Sequence, residues 1–324
     1  MPFTFDRRRF LQAGGVVTGA SLLGPLAGAR PAAAAASGVA QTSMFNIHAA
    51  SSPFIPAPFS LASTTVLQSF AFDNVNEHMY TVQLTHGGTL GELTCTKLTY
   101  AGKEAEPSWL HLKGFGHGVQ IGVQPDLDSA YIWVETLTSA AGFGTQIARF
   151  RFEDFAHGAT LSPTTSGVEI YKPRPTYGSK SIAVDMAYSR VSLRYKIDAK
   201  NARFDLFDLG TFANHAYPAL CSVTLNSATA FPGHENPTFQ GHTTHGSYLY
   251  LLTGTHDTDN MMIWAFDWNT GKLADSFLTE AGKSLSWREP EGMAVWQSAS
   301  GTYHLTFGIA TGAEGARKAA IFYK

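Results

Sequence analysis

The 324-residue chain has little charge and almost no cysteine. Lys, Arg, Asp and Glu make up 15% of the residues and hydrophobic side chains 44%, a composition that supports a folded core and excludes a disordered chain. Two cysteines, Cys95 and Cys221, are too few for a disulfide scaffold. We interpret them as two buried small side chains in strands, with a single bridge as the alternative.

Several functional signatures are missing as well. Beyond its first 36 residues the chain contains no Lys/Arg block, which argues against nucleic acid and anionic membranes as partners. Neither a nucleotide-binding loop, nor a catalytic serine elbow, nor a zinc-protease motif is present.

The N-terminal stretch Met1–Ala36 has the pattern of an export signal. It reads Asp-Arg-Arg-Arg-Phe-Leu from Asp6, and an Arg pair before Phe-Leu is typical of twin-arginine signals. The run Phe10–Ala29 contains five glycines and a proline, which argues against a membrane anchor. We therefore predict a secreted or cell-wall protein without membrane insertion after cleavage. Its mature part has 19 basic and 24 acidic residues, a net charge of −5.

A short phrase recurs five times in the remaining chain. Each copy has one polar residue, then Ser or Gly, then a run suited to a β-strand. The leading polar residues are Gln68, His117, Lys180, Gln240 and Glu291, at spacings of 49, 63, 60 and 51. A β-type period of ~50–60 residues is typical of a propeller.

Further strands are predicted after each phrase from their Val, Ile, Thr and aromatic content. Second strands are expected at 78–85, 130–138, 190–197, 248–254 and 302–310. Third strands are expected at 94–100, 145–152, 202–209, 261–268 and 318–324, and outer strands at 109–113, 168–173, 221–226 and 273–279.

The sequence thus predicts an all-β protein with a single five-bladed β-propeller over residues 67–324, preceded by a lead and closing segment at 37–66. The fifth blade lacks an outer strand of its own. We expect the N-terminal segment to supply it near Pro53–Leu61, because a closed ring leaves no long unprotected edge.

Loops that lead into inner strands form one rim of a propeller's central channel. We therefore expect the five leading residues to lie near one another, with Phe115, Tyr177, His234 and Arg288 at the mouth. Three glycines bracket His117, and His242 follows Gln240 by two residues on the same strand face.

The densest charged cluster precedes the fifth phrase, where Trp287 could stack on a sugar, Arg288 could bind an anion, and Glu289 forms an i, i+2 pair with Glu291. The structural alternatives are a tight turn around His117 and an ion network at blade five, with Lys180 paired to Glu291.

Three segments carry a family resemblance: Lys113–Gly118, Phe239–Gly241 and Arg288–Met293, together with the closing Phe322–Lys324. They resemble secreted actinobacterial proteins labelled teichoic acid biosynthesis protein C. That group is similar to the propeller domain of phage receptor-binding proteins that recognise wall teichoic acid. Over Leu67–Lys324 the resemblance implies a five-bladed propeller and a wall-glycan ligand, and it carries over no catalytic set.

The first functional hypothesis is an enzyme that binds and cleaves an extracellular anionic polysaccharide. In β-elimination, Arg288 or Lys180 would neutralise a uronate and His117 or His242 would take the proton, since histidine titrates near neutral pH. Hydrolysis by Glu289 and Glu291 is the second choice.

The alternative hypothesis is a non-catalytic, lectin-like module for a glycan or teichoic acid, and a weaker one is a protein scaffold. We expect a monomer. Oxygen atoms of Gln68, Gln240 and Glu291 could also hold Ca²⁺ in the channel.

Overall fold

The computed structural model describes residues 38–85, 91–256 and 259–324. The predicted twin-arginine signal lies outside the described residues. Within these three ranges, no helix is long and apolar enough to cross a membrane.

Strands are the main regular structure of the described residues. In chain order the elements are β1 (Ser52–Pro53), β2 (Leu67–Asp73), β3 (His78–Leu84), β4 (Glu92–Thr99), β5 (Glu104–Lys113), β6 (Gly122–Asp126), β7 (Ser129–Thr138), β8 (Gly144–Arg151), β9 (Thr160–Leu161), β10 (Glu169–Tyr171), β11 (Lys180–Asp185), β12 (Arg190–Lys196), β13 (Asn201–Asp208), α1 (Leu209–Ala213), β14 (Cys221–Asn226), β15 (Phe239–His245), β16 (Tyr248–Thr253), β17 (Met262–Asp267), β18 (Leu273–Leu278), β19 (Glu289–Gln297), β20 (Tyr303–Thr311) and β21 (Lys318–Tyr323).

These strands form five sheets, each a propeller blade. From the axis outward the orders are β2-β3-β4-β5-β9, β6-β7-β8-β10, β11-β12-β13-β14, β15-β16-β17-β18 and β19-β20-β21-β1. The innermost strands β2, β6, β11, β15 and β19 contact one another in a closed ring. Within each blade the strands are antiparallel, and only β9, which joins blade one from the connection after β8, is parallel to its neighbour.

Burial explains the sequence of each layer. All seven residues of the inner strand β2 are buried, because it packs against neighbouring blades on both faces. The outer strand β14 instead alternates buried Cys221, Val223 and Leu225 with exposed residues. The observed second and third strands lie within two residues of their predicted bounds.

The closing strand requires a correction. A regular N-terminal strand near Pro53–Leu61, supplied to the last blade, was expected, and this prediction is wrong. Only Ser52 and Pro53 pair with β21, and a single isolated bridge joins Phe59 to Ala319. Prolines at 53, 56 and 58 explain the interruption, because proline cannot donate to a strand ladder.

Blade two also differs from the predicted repeat. Its inner strand begins at Gly122, so His117 lies in the preceding loop and does not lead the strand as predicted. In blades one and four the leading residues Gln68 and Gln240 sit where the pairing register shifts, at β-bulges. Cys95 and Cys221 are both buried and free, so the alternative of a single bridge is not realised.

Candidate functional site

The second residue of the repeated phrase explains why the phrase recurs. A Cβ added to Gly241 would lie 2.7 Å from the Cα of Gly292, and one added to Gly292 would lie 2.7 Å from the Cα of Ser69. The Ser69 hydroxyl donates to the carbonyl of Gly118 at 2.6 Å. Ser or Gly is therefore required because inner strands touch backbone to backbone at the axis.

One buried amide ties the axis together further. The Gln120 side chain donates from Nε2 to the carbonyls of Ile121 and Met293, at 2.9 and 2.8 Å. Its Oε1 accepts from the backbone N–H groups of His242 and Met293, at 3.2 and 3.1 Å. Blades two, four and five are thereby bonded to one another where the sequence suggested an open channel.

The two predicted anion-binding cations are engaged by backbone carbonyls. The Lys180 ammonium is buried and donates to Thr145 at 2.7 Å, Tyr177 at 2.9 Å and Gly178 at 3.3 Å. Arg288 is buried and donates to Ala281 at 2.8 Å and to Thr279 at 2.7 Å. Both side chains join loops to blades, and Lys180 forms these bonds and not the alternative pair with Glu291.

The predicted base His242 is fully buried in a blade interface. Its Nε2 lies 3.3 Å from the carbonyl of Ser192, and its ring packs against Phe204 and Phe239. Burial lowers the pKa of His242 to about 3, so the imidazole is neutral at physiological pH. Gln240 donates to the carbonyl of Gly254 at 3.0 Å.

The blade-five cluster is a set of internal contacts. Glu289 accepts from the indole Nε1 of Trp287 at 3.0 Å, and the indole stacks on His256 at 3.9 Å. Burial, together with the nearby Glu289 charge, raises the pKa of Glu291 well above its usual value. Gln68 is buried, and its amide makes a long 3.4 Å contact with the Leu67 carbonyl.

The predicted mouth residues divide between core and rim. Phe115 is fully buried against Phe150. Tyr177 stacks on Tyr195 at 4.9 Å, and His234 contacts Trp264 edge-on. Among the residues that the structure describes, no group of three or more His, Cys, Asp and Glu side chains could hold a metal ion. The Ca²⁺ interpretation, which rests on Gln68, Gln240 and Glu291, stays a prediction.

A groove lies instead on the rim, where blades two, three and four meet. Two adjoining cavities of about 460 and 410 Å³ share walls from the β7–β8 loop, the β12–β13 hairpin and the residues before β15. Both volumes fall within the ~300–1,000 Å³ usual for small-ligand sites. The shared lining residues are Phe143, Arg194, Lys196, Asp198, Ala199 and Phe239.

The groove combines positive charge with exposed apolar surface. Lys196 is exposed, and Phe143 and Ile197 are 36% and 39% exposed. The one shared acidic residue, Asp198, accepts from the backbone N–H groups of Lys200 and Asn201, each at 2.8 Å, so its charge is used within the hairpin turn. The groove therefore favours an anionic ligand that also has apolar faces.

Arg194 is the central side chain of this groove. Its guanidinium carbon lies 4.0 Å from the ring centroid of Phe239. Among the described residues, its buried Nε has no hydrogen-bond partner, and neither does the buried hydroxyl of Ser181, its direct partner across β11 and β12. Burial lowers the pKa of Arg194 to about 10, which leaves the group charged at neutral pH.

One carboxylate connects two walls of the groove. Glu135 Oε1 accepts from the N–H groups of His117 at 3.1 Å, Gly118 at 2.7 Å and Val119 at 3.4 Å, and Oε2 accepts from Gly144 N–H. Burial raises the pKa of Glu135 to about 7, although these four bonds act in the opposite direction.

The remaining rim histidine lies beside this groove. His117 is half-buried with its ring 5.1 Å from that of Phe143, and burial lowers its pKa. Of the sequence-predicted histidines, His117 packs its ring on Phe143 at the rim, whereas the fully buried His242 packs on Phe239 from within the blade interface.

Sequence reasoning missed the groove residues for a definable reason. It followed the phrases that lead into inner strands, whereas Arg194 lies on a second strand and Phe143 on a connecting loop. A charged residue within the mostly buried strand β12 was the signal available.

Another cavity, of about 670 Å³, lies along the N-terminal segment 48–58, between residues 277–285 and the C-terminal strand. None of the sequence-predicted site residues lines it. The half-buried Lys324 in its lining donates to the Ala49 carbonyl at 2.6 Å.

Comparison with known proteins identifies the family to which this propeller belongs. The family described as the phage 5-bladed beta propeller receptor binding platform domain matches residues 66–323. The chain belongs to this family. The predicted propeller with five blades is thereby confirmed, apart from the corrected closing strand.

Individual relatives point the same way. A Bacillus subtilis (strain 168) protein, provisionally named major teichoic acid biosynthesis protein C, is 26% identical over 280 residues, which cover 81% of this chain and 60% of that protein. The tail fiber of Staphylococcus aureus phage P68 superposes with a TM-score of 0.70 at 18% identity, over 86% of this chain and 53% of that one. The chain thus spans about half to three-fifths of these relatives.

A glycoside hydrolase has the same fold at greater distance. An α-L-arabinofuranosidase from Podospora anserina, solved with cellotriose, gives a TM-score of 0.50 at 11% identity, over 84% of this chain and 94% of that one. The expected resemblance to teichoic acid biosynthesis protein C and to phage receptor-binding propellers is confirmed. An actinobacterial origin and secretion stay predictions.

Proposed function

We propose that the protein binds an anionic, phosphate-bearing wall glycan of the teichoic acid type in the rim groove, without cleaving it. The observation that carries this proposal is Arg194, a charged guanidinium at the wall shared by two cavities with its Nε unpartnered among the described residues. A guanidinium at a groove wall can donate charge-assisted hydrogen bonds to phosphate oxygens.

The shape of the groove supports a polymeric ligand. Arg194 and Phe239 border both cavities, so adjacent units of one chain could occupy the two sides of the pair. Phe143 and Phe239 offer faces for the apolar side of a sugar or polyol. The name of the Bacillus relative and the receptor-binding family description agree with such a ligand.

Cleavage of a uronate-containing polysaccharide is the second candidate. One observation favours it: His117, whose pKa is lowered by burial, is a neutral imidazole packed on Phe143 at the groove wall. In β-elimination, His117 would act as the base and Arg194 would neutralise the uronate carboxylate. Export by the twin-arginine route, as the sequence suggests, would bring the protein to either polymer.

The test is a panel of glycerol-phosphate polymer, ribitol-phosphate polymer, polygalacturonate and a neutral glucan. Binding is followed by calorimetry, and turnover by new reducing ends and by ultraviolet absorbance of a conjugated double bond. We expect salt-sensitive binding of a phosphate polymer and silence in both turnover assays. Rising absorbance with polygalacturonate would replace the binding proposal with the lyase, and H117A would then be the variant to assay.

A further inference from the structure

The two loops that wall the groove beside blade two meet on one buried side chain. Glu135 is fully buried in β7 and receives N–H bonds from His117, Gly118 and Val119 on one side and from Gly144 on the other. Val119 and Phe143, the neighbour of Gly144, both line the groove. The carboxylate thus fixes both walls without facing the ligand.

Glycines allow this convergence. A Cβ on Gly116 would lie 2.5 Å from Glu135 Oε2 and from the Gly144 nitrogen, and a Cβ on Gly144 would lie 2.6 Å from the Thr136 nitrogen. Gly116 also has φ = 73°, in the left-handed region. Glycine at positions 116 and 144 therefore leaves the space that this carboxylate and its donors occupy.

We propose that Glu135 is the positioning residue of the groove: its two oxygens hold the His117 loop and the Phe143 loop in the arrangement that binds the glycan. Its effect on binding rests on the function proposed above, whereas its effect on the loops does not require a ligand. The two oxygens have different partners, since Oε1 accepts from the His117 loop and Oε2 accepts from Gly144.

Because the two oxygens bind different loops, we predict that Glu135→Gln releases one loop and not the other. An amide keeps one oxygen for the three N–H groups of residues 117–119 but turns an NH₂ donor toward the Gly144 N–H. Two donors cannot bond to each other, so the Phe143 loop is released while the His117 loop stays. A protonated carboxyl does the same, and this protonation falls in the neutral range because burial raises the pKa of Glu135 to about 7.

Few charged groups face this carboxyl. Arg194 of β12 interacts with it electrostatically. His117 is on the loop that it holds, and Lys180 of β11 donates to the carbonyl of Thr145, next to Gly144. The positive charges of Arg194 and Lys180 favour the ionised form of Glu135, His117 is a neutral imidazole at neutral pH, and burial opposes ionisation.

The experiment compares wild type, Glu135→Gln and the control Glu153→Gln in the 324-residue chain. Glu153 is a half-buried carboxylate paired with Lys97 at 3.1 Å, so its variant also removes an enclosed charge but lies outside the groove lining. The readouts are amide exchange at Gly144 and Gly118 without ligand, and affinity for glycerol-phosphate polymer from pH 5.5 to 8.5.

We expect Glu135→Gln to accelerate exchange at Gly144 at least tenfold more than at Gly118, to weaken binding about tenfold, and to flatten a wild-type affinity that falls below pH 7. Unchanged exchange at Gly144, or the same loss of binding in Glu153→Gln, would overturn the role of Glu135. A selective exchange effect without polymer binding by wild type would support the loop-positioning role and overturn the proposed function instead.

Discussion

Gln120 at the axis and Arg194 at the rim groove differ in how their polar atoms are satisfied. At the axis, Gln120 makes four hydrogen bonds and glycines let backbones touch. In the groove, within the described part of the chain, Arg194 Nε lies buried without a partner. The difference indicates that the repeated phrase builds the closed axis, and it agrees with the proposal that a ligand binds at the rim.

The largest expected effect comes from filling the axis. Gly241→Ala places a Cβ 2.7 Å from the Cα of Gly292, and neither backbone can move without displacing its blade. We expect the free energy of unfolding to fall by about 3 kcal/mol or more, measured by denaturant titration. The matched control is Gly178→Ala at the rim, whose Cβ would meet the Lys196 carbonyl at 3.4 Å. Equal losses in the two variants would contradict a tightly packed axis.

Acid should weaken the blade interface beside the axis through His242. The pKa of His242 is about 3 in the folded protein and about 6.5 when unfolded, so the unfolded chain binds the proton more strongly. This contribution to stability is complete above pH 6.5 and is lost as the pH falls toward 3. Between pH 7 and 4.5 we expect His242 to account for roughly 2–3 kcal/mol of lost stability.

Urea unfolding of His242→Asn at the two pH values checks this expectation. The variant should lose less stability on acidification than wild type. Identical losses would show that His242 is not the titrating group.

Lys180 and Arg194 are expected to differ in how much each contributes to stability and to polymer binding. Lys180→Met leaves the carbonyls of Thr145, Tyr177 and Gly178 without this donor, so we expect about 2 kcal/mol of destabilisation. Arg194→Met removes no observed bond from its Nε and should cost about 0.5 kcal/mol. Thermal unfolding of both variants, in parallel with polymer binding, decides the point. A reversed order of stability would mean that Arg194 is the structural cation.

The sequence predicted the blades well and the site poorly, for physical reasons. Strand pattern and period are local properties, so β3, β7 and β12 could be placed from alternation and aromatic content alone. The groove depends on which loops meet across blades, and Phe143, Arg194 and Phe239 share no motif. The cations Lys180 and Arg288 looked functional because the sequence does not show that backbone carbonyls engage both side chains.

The smallest expected effect concerns the cysteines. Cys95 and Cys221 are free and buried in different blades, and burial raises the pKa of both thiols. Reductant should therefore leave the unfolding midpoint unchanged within about 1 °C. A drop of several degrees on reduction would reveal a bond that contradicts the fold.

The central claim is that Arg194 recognises an anionic wall glycan, and one affinity measurement tests it most directly. Glycerol-phosphate polymer is titrated into wild type, Arg194→Gln and the control Arg151→Gln, whose guanidinium is paired with Asp126, Asp128 and Asp154. We predict at least a tenfold loss of affinity, about 1.4 kcal/mol, with a shallower salt dependence for Arg194→Gln and no change for the control. Equal affinity of the Arg194 variant and wild type would contradict the account.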